Sequence, residues 1–361
     1  MGFNEFAFHA LDTSHAHLPF IGAHLMFPGK VPPEILNKLV FSHLGVLDPN
    51  VLLGPRLGED ASLIQIGDLV VVASTDPITG SVEDIGWLVV HVNANDVATF
   101  GIAPRWFLVS IMLPSGSRPE ELGRIMEQID KAAKTLNIAV VGGHSEITER
   151  IEQPIVVGFM MGMTEKDQYV TTKGAQPGDM LLMTKSAAIE GTAILATEGY
   201  DTLSKILGAD IIIEARKLRE QISVVKDGIH AFRTGHVHAM HDPTEGGLAG
   251  GIHELCDASI VGFEIDYNAI PLSKPTRLIC QALDINPLEL ISSGTMLITC
   301  LPKHADSIVN ALRQVGIEAK AIGTIASDPA HRKIRFDGKI LDLERPTTDA
   351  LWSGLKKFSL P

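Results

Sequence analysis

The sequence lacks the features that mark disulfide-rich, membrane-spanning or secreted proteins. Among its 361 residues it has only three cysteines, Cys256, Cys280 and Cys300. They form no CxxC motif and are odd in number, so we expect buried, reduced thiols in a cytoplasmic protein. No apolar run approaches the roughly 18 to 20 residues that span a bilayer. No basic segment followed by an apolar core marks a secretory signal, so neither a membrane span nor export is expected.

An excess of basic residues is also missing. Forty-three acidic residues stand against 30 basic ones, which gives a formal charge of −13. The phosphates of nucleic acids and of anionic membranes repel such a chain, so we expect neither as a partner. A phosphorylated small molecule is compatible with this charge where a cation lies between the two negative partners.

The common catalytic and nucleotide-binding fingerprints are absent as well. The sequence contains no P-loop, no Rossmann glycine motif, no G-x-S-x-G and no H-E-x-x-H. His236, His238 and His241 have a strand-like spacing that predicts the first two on one face. A transition-metal site, histidines flanking a phosphate turn and simply packed side chains all fit this spacing.

What the chain does have is an alternation of strands and helices that is typical of α/β proteins. Residues 1–28, with four irregularly spaced histidines, are interpreted as an N-terminal extension. A glycine- and proline-containing break near residues 164–178 separates two predicted domains, 29–168 and 169–361. Strands are predicted at 61–66, 69–73, 106–113, 138–141, 154–163, 180–184, 236–240, 294–300 and 319–325. Helices are predicted at 85–101, 120–136, 190–197, 211–222, 248–256 and 305–315, the second opened by a Ser117–Glu120 capping box. The continuous β-branched run at 69–73 predicts a strand buried on both faces.

The predicted helix at 85–101 poses a problem of burial. Ile85, Leu88, Val89 and Val92 form an apolar stripe, but the next turn of that stripe brings in Asn93 and Asp96. Burying such groups unpaired costs several kcal/mol. We therefore interpret the last turn as facing a cleft, with Asn93 as a structural hydrogen-bonding residue and Gly101 as a left-handed cap.

Four acidic or glycine-rich segments lie at the ends of apolar elements. They contain Gly58 and Asp60, then Asp76, then Asn95 with Asp96, and finally a glycine-rich turn that begins at Asp242. Each aspartate alone has a structural alternative, because caps and Asx turns are common; Asp242 before Pro243 fits a helix N-cap. Together they suit Mg²⁺, which bridges carboxylates to phosphates. The glycine-rich helix start adds N–H donors for an anion.

These motifs, in this order, resemble the AIR (aminoimidazole ribonucleotide) synthase superfamily, also called PurM-like. The likeness rests on Gly58-Glu-Asp-Ala, Ser74-Thr-Asp76, Asn95-Asp-Val-Ala-Thr-Phe-Gly101, Gly142-Gly143 and Asp242-Pro-Thr-Glu-Gly-Gly247, and runs from about Gly29 to Ile325. Members include the hydrogenase-maturation protein HypE, selenophosphate synthetase and thiamine-monophosphate kinase. The resemblance implies a two-domain α/β fold with a mixed-sheet N-terminal domain that dimerises, a larger C-terminal α/β domain, and ATP and Mg²⁺ as cofactors.

The resemblance also implies roles for individual residues. It assigns Mg²⁺ to Asp60, Asp76, Asp96 and Asp242, and nucleotide binding to Gly58, Asn95, Gly142, Gly143, Thr244, Gly246 and Gly247. Asp96, His144 and Glu146 are the candidate catalytic residues. His144 stands where the family usually has Asp or Glu directly after the glycines, and Glu146 is the candidate substitute.

The motif wording is nearest to HypE-like proteins, although the cysteine that ends HypE has no counterpart in Lys357-Phe-Ser-Leu-Pro361. The leading hypothesis is an ATP- and Mg²⁺-dependent enzyme that activates an oxygen of an unidentified acceptor, with hydrogenase or metallocentre maturation as its setting. A homodimer and a maturation partner protein are expected. The alternatives are a small-molecule kinase of the thiamine-monophosphate kinase type and a non-catalytic nucleotide-binding assembly factor.

Overall fold

Two β-sheets organise the chain, one in each half. The computed structural model describes residues 29–79 and 83–358. The predicted extension, its four histidines, Gly80 and the last three residues therefore lie outside the described residues. The expected α/β fold is confirmed. None of the described helices is long and apolar enough to cross a membrane. All three cysteines are buried and unpaired, as expected.

The N-terminal sheet has the strand order β1-β2-β3-β6-β4-β5. Only β4 and β5 pair in parallel; the other neighbours are antiparallel. The strands are β1 (Val51–Leu53), β2 (Ser62–Ile66), β3 (Leu69–Ile78), β4 (Pro104–Pro114), β5 (Ala139–Thr148) and β6 (Ile155–Glu165). A short helix α1 (Pro33–Ile35) and a π-helical turn (Leu36–Val40) precede them, and α2 (Ile85–Ala98) and α3 (Pro119–Leu136) pack on them.

Strand β3 corrects the prediction of a strand buried on both faces. Val70 and Val72 are fully buried, whereas Leu69 is 38% exposed and Val71 is half-buried. The alternation arises because the sheet is largely antiparallel and its helices cover one face. The strand also extends to Ile78, so that Asp76 is paired within β3 instead of following it.

Helix α2 is buried on almost every side, which corrects its interpretation as amphipathic. Of its residues only Trp87 is not fully buried. One side packs on the sheet and on α3, and another packs on α7 (Val225–Phe232) of the C-terminal half. Gly101 follows with a φ of +77°, as predicted, and a Cβ there would lie 2.4 Å from the Phe232 ring. Helix α2 therefore packs between the N-terminal sheet and the C-terminal half.

The capping box predicted for α3 is wrong. The N-cap is Arg118, which has no side-chain cap hydrogen bond, and Pro119 takes the first helical position. The Ser117 hydroxyl lies one residue outside the helix, buried without a partner among the described residues. A proline at the first turn fixes the helix start one residue later than the S-x-x-E pattern requires.

The C-terminal sheet has the order β13-β12-β9-β11-β7-β10-β8. Its strands are β7 (Met180–Thr184), β8 (Val237–His241), β9 (Gly262–Asp266), β10 (Leu297–Cys300), β11 (Ala319–Ala326), β12 (Arg332–Phe336) and β13 (Lys339–Asp342). The helices are α4 (Ile189–Glu198), α5 (Tyr200–Leu207), α6 (Ala209–Lys217), α7 (Val225–Phe232), α8 (Gly247–Ser259), α9 (Lys274–Ala282), α10 (Ala305–Arg313) and α11 (Ala350–Lys356). Every residue of β10 is buried, as expected for an inner strand covered on both faces.

Candidate functional site

Asn93 brings two of the predicted metal ligands together. Its Oδ1 accepts from the backbone N–H of Asp76 at 2.8 Å, and its Nδ2 donates to the carbonyls of Asp76 at 3.1 Å and Val89 at 2.8 Å. These bonds hold the end of β3 against α2, one turn before Asp96. The structural role predicted for Asn93 is confirmed.

The other two aspartates approach the same place from different elements. Asp60 precedes β2, and Asp242 directly follows β8 of the C-terminal half. One ligand atom from each of Asp60, His241 and Asp242 lies within 4.8 Å of the others. We call Asp60, Asp76, Asp96 and Asp242 the aspartate cluster. The structure brings all four together at the junction of the two halves.

His241 joins the cluster to a chain of charges that the sequence did not reveal. Its Nδ1 lies 3.0 Å from Asp60 Oδ2, and its Nε2 lies 3.1 Å from Glu254 Oε2. The other oxygen of Glu254, Oε1, pairs with Lys30 Nζ at 3.2 Å. Burial lowers the pKa of His241, but the carboxylates of Asp60 and Glu254 outweigh it and raise that pKa to about 10. The imidazolium donates from both nitrogens, so it has no lone pair for a metal.

The negative charge of Asp76, Asp96 and Asp242 is buried and poorly compensated, which raises their pKa values. Burial, with repulsion from Asp60 and Glu245, raises the pKa of Asp76 to about 6, although Lys30 opposes the shift. Burial and the neighbouring aspartates raise the pKa of Asp96 and of Asp242 well above its usual range. Both carboxylate oxygens of Asp242 are buried without a hydrogen-bond partner among the described residues. A set of orphaned hard oxygen ligands without a free imidazole fits Mg²⁺ better than a transition metal.

A cavity of about 730 Å³ opens beside the aspartate cluster. This volume lies within the usual range of ligand pockets. Gly58, Asp60, His241, Gly246 and Glu254 contribute to its wall. Gly58 has a φ of +75°, and a Cβ there would lie 2.5 Å from the carbonyl oxygen of Glu254. Only glycine therefore lets the Asp60 turn pack on α8.

The glycine-rich turn after Asp242 is held more tightly than the sequence suggested. The helix α8 begins at Gly247 with Gly246 as its N-cap, so the interpretation of Asp242 as an N-cap is wrong. Asp349 accepts the N–H of Gly246 at 2.7 Å, and the Thr244 carbonyl accepts that of Gly247 at 3.0 Å. These two N–H groups are already donated within the chain. The phosphate-binding role of Thr244, Gly246 and Gly247 stays a prediction.

Asn95 faces the C-terminal half. Its Nδ2 donates to the carbonyl of Ile222 at 2.9 Å, and its Oδ1 accepts from the N–H of Val224 at 2.8 Å. Both ends of the fully buried amide are therefore engaged in joining α2 to the segment before α7. The predicted phosphate contact would require these bonds to break.

Gly142, Gly143, His144 and Glu146 all lie on β5, the exposed edge of the N-terminal sheet, and not in a turn. Strand β5 approaches β4 closely at Gly143, where a Cβ would lie 2.0 Å from the Val109 carbonyl oxygen. Gly143 is three strands away from Asp76, about 14 Å at the usual strand spacing. Within one chain the structure does not bring His144 and Glu146 to the aspartate cluster.

The structure also shows where the closely spaced histidines His236, His238 and His241 lie. His236 stacks on His304 with ring centroids 3.8 Å apart, and His238 Nδ1 lies 2.9 Å from Asp179 Oδ2. His241 stands apart from them in the charge network described above. The three histidines therefore do not form one ligand set.

Comparison with known proteins identifies the family of the chain. Residues 58–164 match the model of the AIR synthase related protein, N-terminal domain, and residues 176–334 match that of the C-terminal domain. The chain belongs to the AIR synthase related family. The two matches lie on either side of the predicted boundary at residues 168 and 169.

Within this family, the chain is similar to several hydrogenase-maturation proteins. The chain is 28% identical to a putative hydrogenase expression/formation protein of Methanocaldococcus jannaschii, covering 82% of this chain and 88% of that protein. It is 27% identical to the carbamoyl dehydratase HypE of Rhizobium leguminosarum bv. viciae, covering 76% and 78% of the two chains. A crystal structure of HypE in complex with ATP aligns with a TM-score of 0.64 and 22% identity over 89% of this chain and 96% of that one.

Proposed function

We propose that the chain is an ATP- and Mg²⁺-dependent enzyme of the HypE type. In this proposal ATP cleavage activates an oxygen of an acceptor during the maturation of a hydrogenase or another metallocentre. The observation that carries it is the pair of orphaned, buried oxygens on Asp242 beside a cavity of about 730 Å³. The names of the relatives, one a hydrogenase expression/formation protein and one a carbamoyl dehydratase, support the reaction class.

In this proposal different residues hold the metal ion, position its ligands and balance charge. The aspartate cluster would hold Mg²⁺, which when bound neutralises the charge of a triphosphate. His241, itself held by Glu254, pairs with one oxygen of Asp60 and leaves the other as a candidate ligand for the cation. Lys30 lines the cavity and pairs with Glu254, so its ammonium group would contribute positive charge near a bound anion.

The proposal includes a homodimer built on β5. This strand is the unpaired edge of the N-terminal sheet, and Val140, Val141 and Ile147 on it are 40%, 52% and 60% exposed. A long edge strand with exposed apolar residues is suited to pairing with another strand. Pairing would give the predicted roles of Gly142, His144 and Glu146 a place, since a second chain could bring its nucleotide within their reach. A protein partner in maturation is also part of the proposal.

The direct test measures the affinity of a non-hydrolysable ATP analogue by calorimetry. Wild type is titrated with and without Mg²⁺, and the Asp96→Asn variant is titrated with Mg²⁺. We expect affinity to fall about a hundredfold or more in both altered cases, the loss of about 3 kcal/mol that removing one partner of a buried charged contact causes. Asp130→Asn, on the exposed side of α3, is the matched control. Equal affinity in all cases would refute the metal-dependent site.

Product analysis then separates the reaction classes. The HypE-type proposal expects inorganic phosphate to be released only with a suitable acceptor, and no phosphorylated metabolite to accumulate. A phosphorylated product would establish a kinase instead. Tight ATP binding without turnover over a broad acceptor panel would establish a non-catalytic role.

A further inference from the structure

The residues directly before α7, 221–224, are held by side chains from both halves of the molecule. We call them the junction segment. From the N-terminal half, both ends of the Asn95 amide bond to this segment, as described above. From the C-terminal half, Lys185 Nζ donates to the carbonyl of Gln221 at 3.1 Å and to that of Ser223 at 2.7 Å. Asn95 and Lys185 therefore bind alternate residues of one short segment.

Lys185 occupies a place that is unfavourable for a lysine in two ways. It directly follows β7 with a φ of +54°, in the left-handed region that residues with a Cβ disfavour. Its side chain is only 13% exposed, and burial lowers its pKa, against the raising effect of Asp227. The Nζ also lies 3.2 Å from Asp227 Oδ1, so each of its three N–H donors has an acceptor. Strain of this kind persists where contacts over-determine it, which is frequent near functional sites.

The junction segment lies against the part of α2 that carries a member of the aspartate cluster. Asp96 directly follows Asn95, and the Thr99 N–H donates to the Asn95 carbonyl at 3.0 Å, which closes the last turn of the helix. Helix α7 packs on the same turn so closely that a Cβ at Gly228 would lie 2.1 Å from the Ala98 carbonyl oxygen. Because this contact leaves no slack, a shift of the junction segment would move the turn that holds Asp96.

The first turn of α2 has an anchor of its own. Arg219 donates to both carboxylate oxygens of Asp84 at 2.7 and 2.8 Å, about three turns before Asp96. The charge of Lys185 also reaches α2, since burial and then Lys185 lower the pKa of His91, one turn before Asn95, to about 3. Lys185 therefore acts on the end of α2 that carries Asp96, whereas Arg219 holds the opposite end.

We propose that Lys185 is a positioning residue for the aspartate cluster. It fixes the junction segment, the segment fixes Asn95, and Asn95 fixes the turn of α2 that presents Asp96 to the cation. Lys185 does not line the cavity of about 730 Å³, so it acts through other residues. The cation rests on the proposed function, whereas the hold on the segment is a property of the chain alone. The competing role is an ion pair with Asp227 that only stabilises the C-terminal half.

Nucleotide affinity separates the two roles. Lys185→Met removes all three donors, whereas Asp227→Asn removes the charge of the pair and leaves an acceptor. Calorimetry with a non-hydrolysable ATP analogue and Mg²⁺ is run where circular dichroism shows each variant folded. We expect Lys185→Met to weaken binding at least tenfold and Asp227→Asn less than threefold. Lys333→Met, which breaks a lysine–aspartate pair elsewhere in the C-terminal half, should leave the affinity unchanged.

A double-mutant cycle tests whether Lys185 acts through Asn95. Asn95→Ala should itself weaken analogue binding, because it releases the same segment from the other side. Lys185→Met should then weaken binding by less than a further twofold in the Asn95→Ala background, since residues that act through one contact are not additive. Independent losses that multiply in the double variant would contradict the chain of contacts.

Hydrogen exchange of the full chain without Mg²⁺ or nucleotide gives a second, independent measurement. Lys185→Met should speed exchange at least tenfold in residues 94–101 and 221–228, while residues 85–91 and strand β10 keep their wild-type rates. A purely stabilising ion pair would instead speed exchange in β10 as well, and Asp227→Asn would do the same. If Lys185→Met does not fold, the double variant Lys185→Met/Asp227→Asn replaces it, because it leaves no buried charge unpaired.

An unchanged analogue affinity in Lys185→Met overturns the inference, and so does faster exchange that spreads beyond these two stretches. An equal loss of affinity in Asp227→Asn would assign the effect to the ion pair. The proposed function fails separately, if wild type binds the analogue without any dependence on Mg²⁺. The exchange pattern alone then decides whether Lys185 holds the junction segment and the turn that carries Asp96.

Discussion

The aspartate cluster, at the junction of the two halves, and the His144–Glu146 pair on β5 differ in burial and in pairing, although Asp76 and Gly143 are only about 14 Å apart across the N-terminal sheet. In the aspartate cluster Asp96 is 4% and Asp242 is 1% exposed, and both oxygens of Asp242 lack a partner among the described residues. On β5 the side chains of His144 and Glu146 are 67% and 48% exposed and pair with each other at 3.2 Å. Buried unpaired charge raises the free energy of the folded chain, and solvated charge does not. A bound cation would therefore stabilise the aspartate cluster, whereas the solvated His144–Glu146 pair needs no further partner.

A related contrast lies within the buried region, and it gives the largest expected effect. His241 compensates Asp60 and Glu254, so His241→Leu leaves two half-buried carboxylates, 13% and 16% exposed, without their shared cation. We expect the free energy of unfolding to fall by about 3–5 kcal/mol, the usual result of breaking a buried ion pair from one side. Urea unfolding at pH 7.5 without Mg²⁺ measures it. His304→Leu is the control, and a loss below about 1 kcal/mol would contradict the network.

The opposite sign is expected for Asp242→Asn. Removing this buried charge, which Asp60 and Asp76 repel, should stabilise the Mg²⁺-free chain at neutral pH by about 1–3 kcal/mol, because burying a poorly compensated charge costs at least as much as burying a polar group. The pH dependence has a defined sign. Because the folded-state pKa of Asp76 is raised to about 6, and those of Asp96 and Asp242 also are raised, the folded state binds more protons than the unfolded one. Stability should fall as pH rises from about 4 through 6 and beyond.

Thermal unfolding of wild type and Asp242→Asn over pH 4.5–8.5 measures both effects. The Asn variant should show a weaker decline with pH, and Mg²⁺ should stabilise wild type more than the variant. Asp130→Asn should follow wild type. A variant less stable than wild type without Mg²⁺ would mean that the Asp242 charge is compensated after all.

The two regions also show what a sequence can reveal. The alternation of strands and helices follows from local patterns and is confirmed by the fold. Asp60 and Asp242 do lie beside strand ends, whereas Asp76 lies within β3. The full burial of α2 could not be predicted from a local pattern, because its second face is covered by α7, which is more than 100 residues away in the sequence. The same holds for the His241–Glu254–Lys30 chain, which joins residues up to 224 positions apart in the sequence. No local period encodes such pairings.

A charge placed on an exposed apolar residue of β5 should weaken the proposed dimer. Val141→Lys puts a cation on β5, which should weaken the proposed strand pairing between two copies at least tenfold. Sedimentation of wild type and variant over a concentration series measures the dissociation constant. Ile213→Lys, a similarly exposed apolar position on α6, is the matched control. A wild-type monomer at all concentrations, or an unaltered dimer in Val141→Lys, would contradict pairing through β5.

The smallest effect on stability is expected for His144→Ala. An exposed ion pair contributes at most about 1 kcal/mol, so the variant should unfold within that margin of wild type in urea. Its effect on nucleotide affinity is more informative. If β5 serves the site of a second copy, His144→Ala should lower ATP affinity in the dimeric chain and change nothing further in the Val141→Lys background. Additive losses in the two backgrounds would show instead that His144 acts within its own chain, since residues that act only through a shared contact cannot contribute once that contact is gone.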